Sequence, residues 1–239
     1  MNHDYKLVLP QTIERLSKLD TCVVSNAIEH FNVRLRNEGF MDGSVKCRFP
    51  EMPPKAGYAV TGRIQTSSTP LEGRCYYENM EWWRFVASVP PPRFVVIQDS
   101  DHSPGTGAFI GQIHATIAVA LGCVAYATNG SVRDLPGVRS AELQVFSHNV
   151  SVSHSYAHIA SFGGPVEIAG LLVSPGDLLH GDEHGIHQIP FSIADRVPAA
   201  AEDILNYEKE LLDFCNSTHF SLEELSNRID NNHRKKSCA

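Results

Sequence analysis

The chain has 239 residues, 42% of them hydrophobic and 20% charged, and a formal net charge of −7. That length fits one large domain with a sizeable core. The acids are dispersed and the one basic run, Arg234-Lys235-Lys236, lies at the C-terminus, which excludes a nucleic-acid groove built on a basic face.

In chain order, residues 11–31 place Ile13, Leu16, Leu19, Val23, Ala27 and Phe31 at helical spacing. Residues 34–56 are irregular, broken by Pro50, Pro53 and Pro54. Tyr58 to Ser67 alternates as a strand does, and Arg74 to Val89 reads as a helix carrying Trp82, Trp83 and Phe85, ended by Pro90-Pro91-Pro92. Arg93 to Gln98 reads as a short buried strand and Ala108 to Leu121 as a helix. Cys123 to Thr128 is a second buried strand, expected to run into a turn at Asn129-Gly130. Leu143 to Phe146, Val166 to Val173 and Ile186 to Ile189 are further strand candidates. Two helices near 199–216 and 221–231 close the chain, the second opened by the capping box Ser221-Leu222-Glu223-Glu224. Strand, helix and strand alternate in the middle, which argues for a parallel βαβ unit, and the strand-rich stretch 143–190 argues for a mixed α/β architecture.

No apolar run reaches the roughly 18 residues of a membrane span. Met1-Asn2-His3-Asp4-Tyr5-Lys6 lacks the basic-then-apolar plan of a secretory signal, so a cytoplasmic location is expected, with no membrane partner. The six cysteines form no CxxC pair and read as reduced structural thiols; Cys22 and Cys75 are the candidates for a reactive one.

Three motifs carry possible chemistry. Gly105-Thr106-Gly107-Ala108-Phe109-Ile110-Gly111 follows a strand and leads into a helix. Its GxGxxxG spacing and the long turn before it count against a dinucleotide fingerprint. A glycine-rich helix start still offers backbone N–H groups and a positive dipole end, which suits a carboxylate at Gly111, Gln112, Ile113 and His114. Arg133-Asp134 follows the next strand, so both loops are expected on one sheet edge, with Arg133 gripping a carboxylate and Asp134 holding a hard cation. His180-Gly181-Asp182-Glu183-His184-Gly185-Ile186-His187 gathers five potential ligands at an expected hairpin turn, as a metal cluster or as polar turn residues near a cleft.

The run from Gly111 to Leu121-Gly122-Cys123, followed by Asn129-Gly130-Ser131-Val132-Arg133-Asp134, resembles the RraA-like family, which includes the 4-hydroxy-4-methyl-2-oxoglutarate / 4-carboxy-4-hydroxy-2-oxoadipate aldolases. Pro165 to Leu171, Val173 to Leu179 and Gly185 to Pro190 are similar in order, as is Leu19 to Ala27. The resemblance covers roughly residues 16–195. It implies a swivelling β/β/α domain with mixed sheets and flanking helices, here 1–198 as one catalytic domain, with 199–239 as a helical extension packed on it. It implies a trimer or dimer of trimers with sites between subunits, a divalent metal (Mg²⁺ or Mn²⁺), and a 2-oxo acid or related carboxylate as substrate.

On this reading Arg133 is catalytic and binds substrate. Asp134 holds the metal, and the amides of Gln112, Ile113 and His114 receive the substrate carboxylate. The aldolases carry acids where this chain has Gln112 and Gly137, which makes His114 the candidate replacement base. The expected activity is a metal-assisted carbon–carbon lyase of aldolase or decarboxylase type. A hydrolase or an isomerase/tautomerase on the same scaffold, and a non-catalytic regulator-like binding protein, are the alternatives.

Overall fold

The computed structural model describes residues 5–70 and 79–237. Its centre is a nine-stranded mixed sheet. Four parallel strands form the middle: β2 (Lys55–Gln65), β3 (Arg93–Asp99), β5 (Cys123–Val132) and β6 (Gln144–Val150). Antiparallel β1 (Lys46–Cys47) extends one edge. The hairpin β10 (Leu178–Asp182) and β11 (Gly185–Gln188) extends the other. Short β4 (Ala108–Ile110) lies parallel to the end of β5, and β7 (His158–Phe162) runs antiparallel to β2. A two-stranded ribbon, β8 (Val166–Ile168) and β9 (Leu171–Val173), stands apart from the sheet's own pairing.

The central strands read as continuous apolar runs because both their faces are covered. Side chains alternate between the faces. Val95 and Ile97 enter a cluster with α1 (Pro10–Leu16), α2 (Thr21–His30), α3 (Met80–Ser88), α4 (Gln112–Ala120) and α6 (Val197–Cys215). Phe94 and Val96 enter a second cluster with Val166, Ile168, Leu171 and Val173 of the ribbon. Helices, sheet and ribbon are the three layers of the expected α/β, β/β/α domain. Helix α6 lies against α2, with Val197 and Ala201 buried and Arg15 bonded to Glu202 at 2.8 Å, and the helix α7 (Leu222–Ser237) follows it.

Several elements differ from the sequence expectation. The helix expected over 11–31 is two helices. Asp20 breaks it by accepting from the Val23 amide at 2.8 Å, since a short carboxylate favours the cap over the helix interior. Ala108 to Ile110 is extended, not helical; it pairs with Ser131 and Val132, and the helix begins only after Gly111. Asn129-Gly130 is not a turn. β5 continues through it, with a bulge against β6, while β3 ends, and the Asn129 carboxamide accepts from the Asp99 amide at 2.7 Å and donates to the Asp99 carbonyl at 3.0 Å. A side chain thus takes over as strand partner. Val166 to Val173 folds back at Ala169-Gly170, both at positive φ (50° and 77°), as a two-residue hairpin requires. The first part of the helix expected at 74–89, with Cys75, lies outside the described residues; α3 starts at Met80 behind the Asn79 cap.

Candidate functional site

The parallel strands β3 and β5 deliver the two loops to one edge, as their order demands. β4 ends at Ile110, whose carbonyl accepts from the Arg133 amide at 3.0 Å. That bond holds the start of α4 beside the Arg133-Asp134 step. Gly111 caps α4 with extended backbone (φ −140°, ψ −168°) and no side-chain cap. The first-turn amides of a helix have no acceptor within it, so Gln112, Ile113 and His114 present the positive end of α4 here.

Gly111 leaves space for the Asp134 carboxylate. Its φ is one any residue adopts, but a Cβ at this position would stand 2.6 Å from Asp134 Oδ2 and 3.4 Å from Arg133 Cγ. Asp134 itself sits in the left-handed region (φ 53°, ψ 40°), a conformation aspartate tolerates better than most. Directly after it Pro136 helps start the short helix α5 (Leu135–Ser140). Arg133 Nε and Asp134 Oδ1 are 3.5 Å apart, and both side chains reach solvent, 28% and 45% exposed. The guanidinium is held loosely by its neighbour and keeps its other donors for a ligand.

The structure also joins the two positions where the aldolases carry acids. A Cβ at Gly137 would meet the Gln112 Oε1 and Cδ at 2.7 Å. The Gln112 side chain therefore lies over Gly137 and fills the space a side chain there would need. The two departures from the aldolase pattern fit each other sterically.

His114 divides into two parts. Its amide belongs to the α4 start, as expected. Its ring is 3% exposed and wedged between Phe109 and Trp83, at centroid distances of 4.4 and 4.6 Å. Burial pushes its pKa down to about 3. Such a ring packs α4 onto the core, and this placement does not match the base role expected from the sequence.

The His180–His187 segment forms the expected hairpin. Alternation does not send its ligands to one open face; the groups bond each other. His180 and His187 pair across the strands with Nδ1 and Nε2 3.0 Å apart, and His180 Nε2 is 3.0 Å from the Leu16 carbonyl. Asp182 accepts from the Thr21 amide (2.7 Å) and hydroxyl (2.6 Å) and from the His184 amide (2.9 Å). This carboxylate ties the hairpin to the first turn of α2. Cys22 is exposed, and partial burial with Asp20, Asp182 and Glu183 nearby raises its pKa, the reverse of an activated thiol.

Among the described residues no three His, Cys, Asp or Glu side chains are set to hold a metal. Around Gly111 the oxygen donors are one carboxylate, Asp134, and the neutral Gln112 Oε1. Zn²⁺ would require more and softer ligands. Mg²⁺ is often held by one or two carboxylates, with waters and substrate oxygens completing the shell. The donor set fits only that second, water-rich kind of site.

Sheet order and the ribbon layer define an α/β domain of the swivelling type, with the α4 start facing an Arg-Asp step at a strand edge. The chain belongs to the RraA-like family (Aldolase/RraA), whose family model matches residues 21–187. A protein of Halalkalibacterium halodurans, named as a candidate 4-hydroxy-4-methyl-2-oxoglutarate aldolase, is 27% identical over 86 residues. That match spans 36% of this chain and 41% of the relative, less than half its length. Among solved structures, a protein from Pseudomonas syringae pv. tomato described as uncharacterized has a TM-score of 0.70 at 20% identity, covering 95% of this chain and 97% of that one. A Streptomyces coelicolor protein, described as an unusual member of the RNase ES inhibitor RraA family, has a TM-score of 0.67 at 18% identity, covering 86% and 97%. These two likenesses establish the fold.

The sequence reading missed Asn129 as a strand substitute, the helix α5, and the fit of Gln112 over Gly137. The first had a signal in the polar Asn-Gly pair; the last had none, because 25 positions separate the two residues.

Proposed function

We propose that the chain is a carbon–carbon lyase, of aldolase or decarboxylase type, acting on a small 2-oxo acid or a related carboxylate. The observation that carries this reading is the α4 start opening beside Arg133, with Gly111 leaving space for the Asp134 carboxylate next to them. The amides of Gln112, Ile113 and His114 receive the substrate carboxylate. Arg133 binds a second oxygen and stabilises the oxyanion that grows as the bond breaks. Asp134 would hold Mg²⁺ or Mn²⁺ through one carboxylate and waters; when bound, the ion supplies Lewis-acid polarisation of the oxo group. Gln112 is neutral and orients a water or substrate hydroxyl without serving as a base. The His114 ring takes no part. The site is completed between subunits of a homotrimer or homohexamer, as the family resemblance implies, and the protein works in the cytoplasm.

The test is a pyruvate-release and oxaloacetate-decarboxylation assay with Mg²⁺ and with chelator. Turnover that needs the ion and is lost in Arg133→Ala supports the reading. Turnover unchanged by chelator and by Asp134→Ala would remove the metal from it.

A second reading, a non-catalytic binding protein, is favoured by one observation: Gln112 and Gly137 replace both extra acids and pack together. Under it, purified protein carries no metal, shows no turnover of any 2-oxo acid, and captures a stoichiometric protein partner.

A further inference from the structure

A second depression, of about 310 Å³, opens on the far edge of the sheet from the Gly111 corner. That volume lies at the lower end of small-molecule sites. One wall is the first turns of α2, where Cys22, Ser25 and Asn26 share a helix face. Another is the segment through Phe40 and Met41, laid along β11 by bonds from the Met41 amide to the Ile186 carbonyl and from the Gln188 amide to the Gly39 carbonyl, both 2.9 Å. His187 forms part of the remaining wall and is only 4% exposed.

The relay through the histidine pair fixes what His187 offers there. The Leu16 carbonyl can only accept, so His180 Nε2 must carry a proton and donate to it. Burial holds both imidazoles down, His180 to about 4, so near neutrality each is uncharged. A neutral His180 protonated on Nε2 has an accepting Nδ1. That nitrogen faces His187 Nε2 at 3.0 Å, so His187 is the donor in the pair. His187 Nδ1 is then a lone-pair acceptor, with no bonding partner among the described residues, on a side chain more than nine-tenths buried.

Charge differs across the depression. Asp20, Asp182 and Glu183 all act on Cys22 at the rim, and among the described residues no Lys or Arg lines it. Arg34 acts on His187 from the other side, where it donates to the Gln188 carbonyl at 2.7 Å. Asp182 is occupied by Thr21 and His184, so it contributes field without a free oxygen for direct binding of a metal.

We propose that this depression binds a small primary amine in its ammonium form, with one N–H donated to His187 Nδ1 and others to the Ser25 hydroxyl and the Asn26 carboxamide oxygen, and its alkyl part against Phe40 and Met41. The site is separate from the Gly111 corner and does not depend on the lyase reading.

The probe is n-propylammonium chloride, with sodium propionate as the matched anion, titrated into ¹⁵N-labelled full-length protein. Long-range ¹H–¹⁵N spectra report the His187 ring nitrogens. Expected are an unprotonated Nδ1 in the free protein, saturable shifts at His187 Nδ1 and the Cys22 and Asn26 amides with propylammonium, and none with propionate. Asn26→Leu, on the exposed helix face, should weaken binding roughly tenfold, the worth of one hydrogen bond. His187→Phe should abolish it, and Asn26→Leu carries the test if that variant fails to fold. A proton on His187 Nδ1, no saturable shift with propylammonium, an equal response to propionate, or an affinity unchanged in Asn26→Leu would each overturn the proposal.

Discussion

At the β10–β11 hairpin the polar groups satisfy one another. His180 bonds His187 and Leu16, while Asp182 bonds Thr21 and His184. The Gly111 corner is more open. The α4 start has no side-chain cap, Arg133 is held only loosely by Asp134, and both side chains reach solvent. In sequence the hairpin looks the richer, with five potential ligands in eight residues against one Arg-Asp step. In space the hairpin is chiefly a fastener between sheet and α2, with a single acceptor left over, and the poorer motif is the open one. Side-chain density along the chain therefore says less about a site than which donors and acceptors remain unspent after folding.

That contrast can be broken from either side. The largest effect is expected from acid on the fastener. Unfolded histidine takes up a proton near pH 6.5, whereas folded His180 does so only near 4 and folded His114 near 3. In that interval the unfolded state binds more protons, so stability falls as pH drops from 6.5 towards 4. The His180 shift alone corresponds to on the order of 3 kcal/mol. Denaturant melts at stepped pH should show this loss, and His180→Phe should flatten the slope in the same window. At neutral pH the same substitution removes the acceptor of the buried His187 Nε2 donor, while the Leu16 carbonyl keeps the Leu19 amide at 3.1 Å, and should cost about 1–3 kcal/mol.

At the open corner, Gly111→Ala forces Asp134 aside and should reduce 2-oxo-acid turnover or binding roughly 100-fold, with the melting midpoint less affected than in His180→Phe. Arg133→Lys keeps the charge but loses the planar fork. It should weaken carboxylate binding roughly tenfold, read as a raised KM or Kd. The smallest effect lies far from both regions: Ser221→Ala removes the hydroxyl that accepts from the Glu224 amide at 3.2 Å and should cost about 0.5 kcal/mol of unfolding free energy.

Much of the layered fold was legible in the sequence. Val95-Val96-Ile97 and Val124 to Ala127 declare strands covered on both faces, and the helix cap at Ser221 lies where its motif puts it. The errors cluster where a side chain overrides the local pattern. Asp20 splits a helix whose apolar spacing is unbroken, and Asn129 replaces a strand partner inside what reads as a turn. At Ala108–Ile110 a pairing with Ser131 and Val132, distant in sequence, wins over helical continuity. Of the candidate site, the Gly111 start and Arg133-Asp134 do converge. The His114 ring does not join them, because Phe109 and Trp83 enclose it, and no spacing rule marks which face of α4 the aromatic residues will claim.

The account rests most heavily on the α4 start and Arg133 gripping one carboxylate together. Titrating pyruvate into ¹⁵N-labelled protein, without added metal, reads this directly from the Gln112, Ile113 and His114 amides. The account predicts saturable shifts of those amides that disappear in Arg133→Ala while the rest of the spectrum is preserved. Saturable binding that leaves those three amides unmoved, or shifts that persist undiminished in Arg133→Ala, would contradict it.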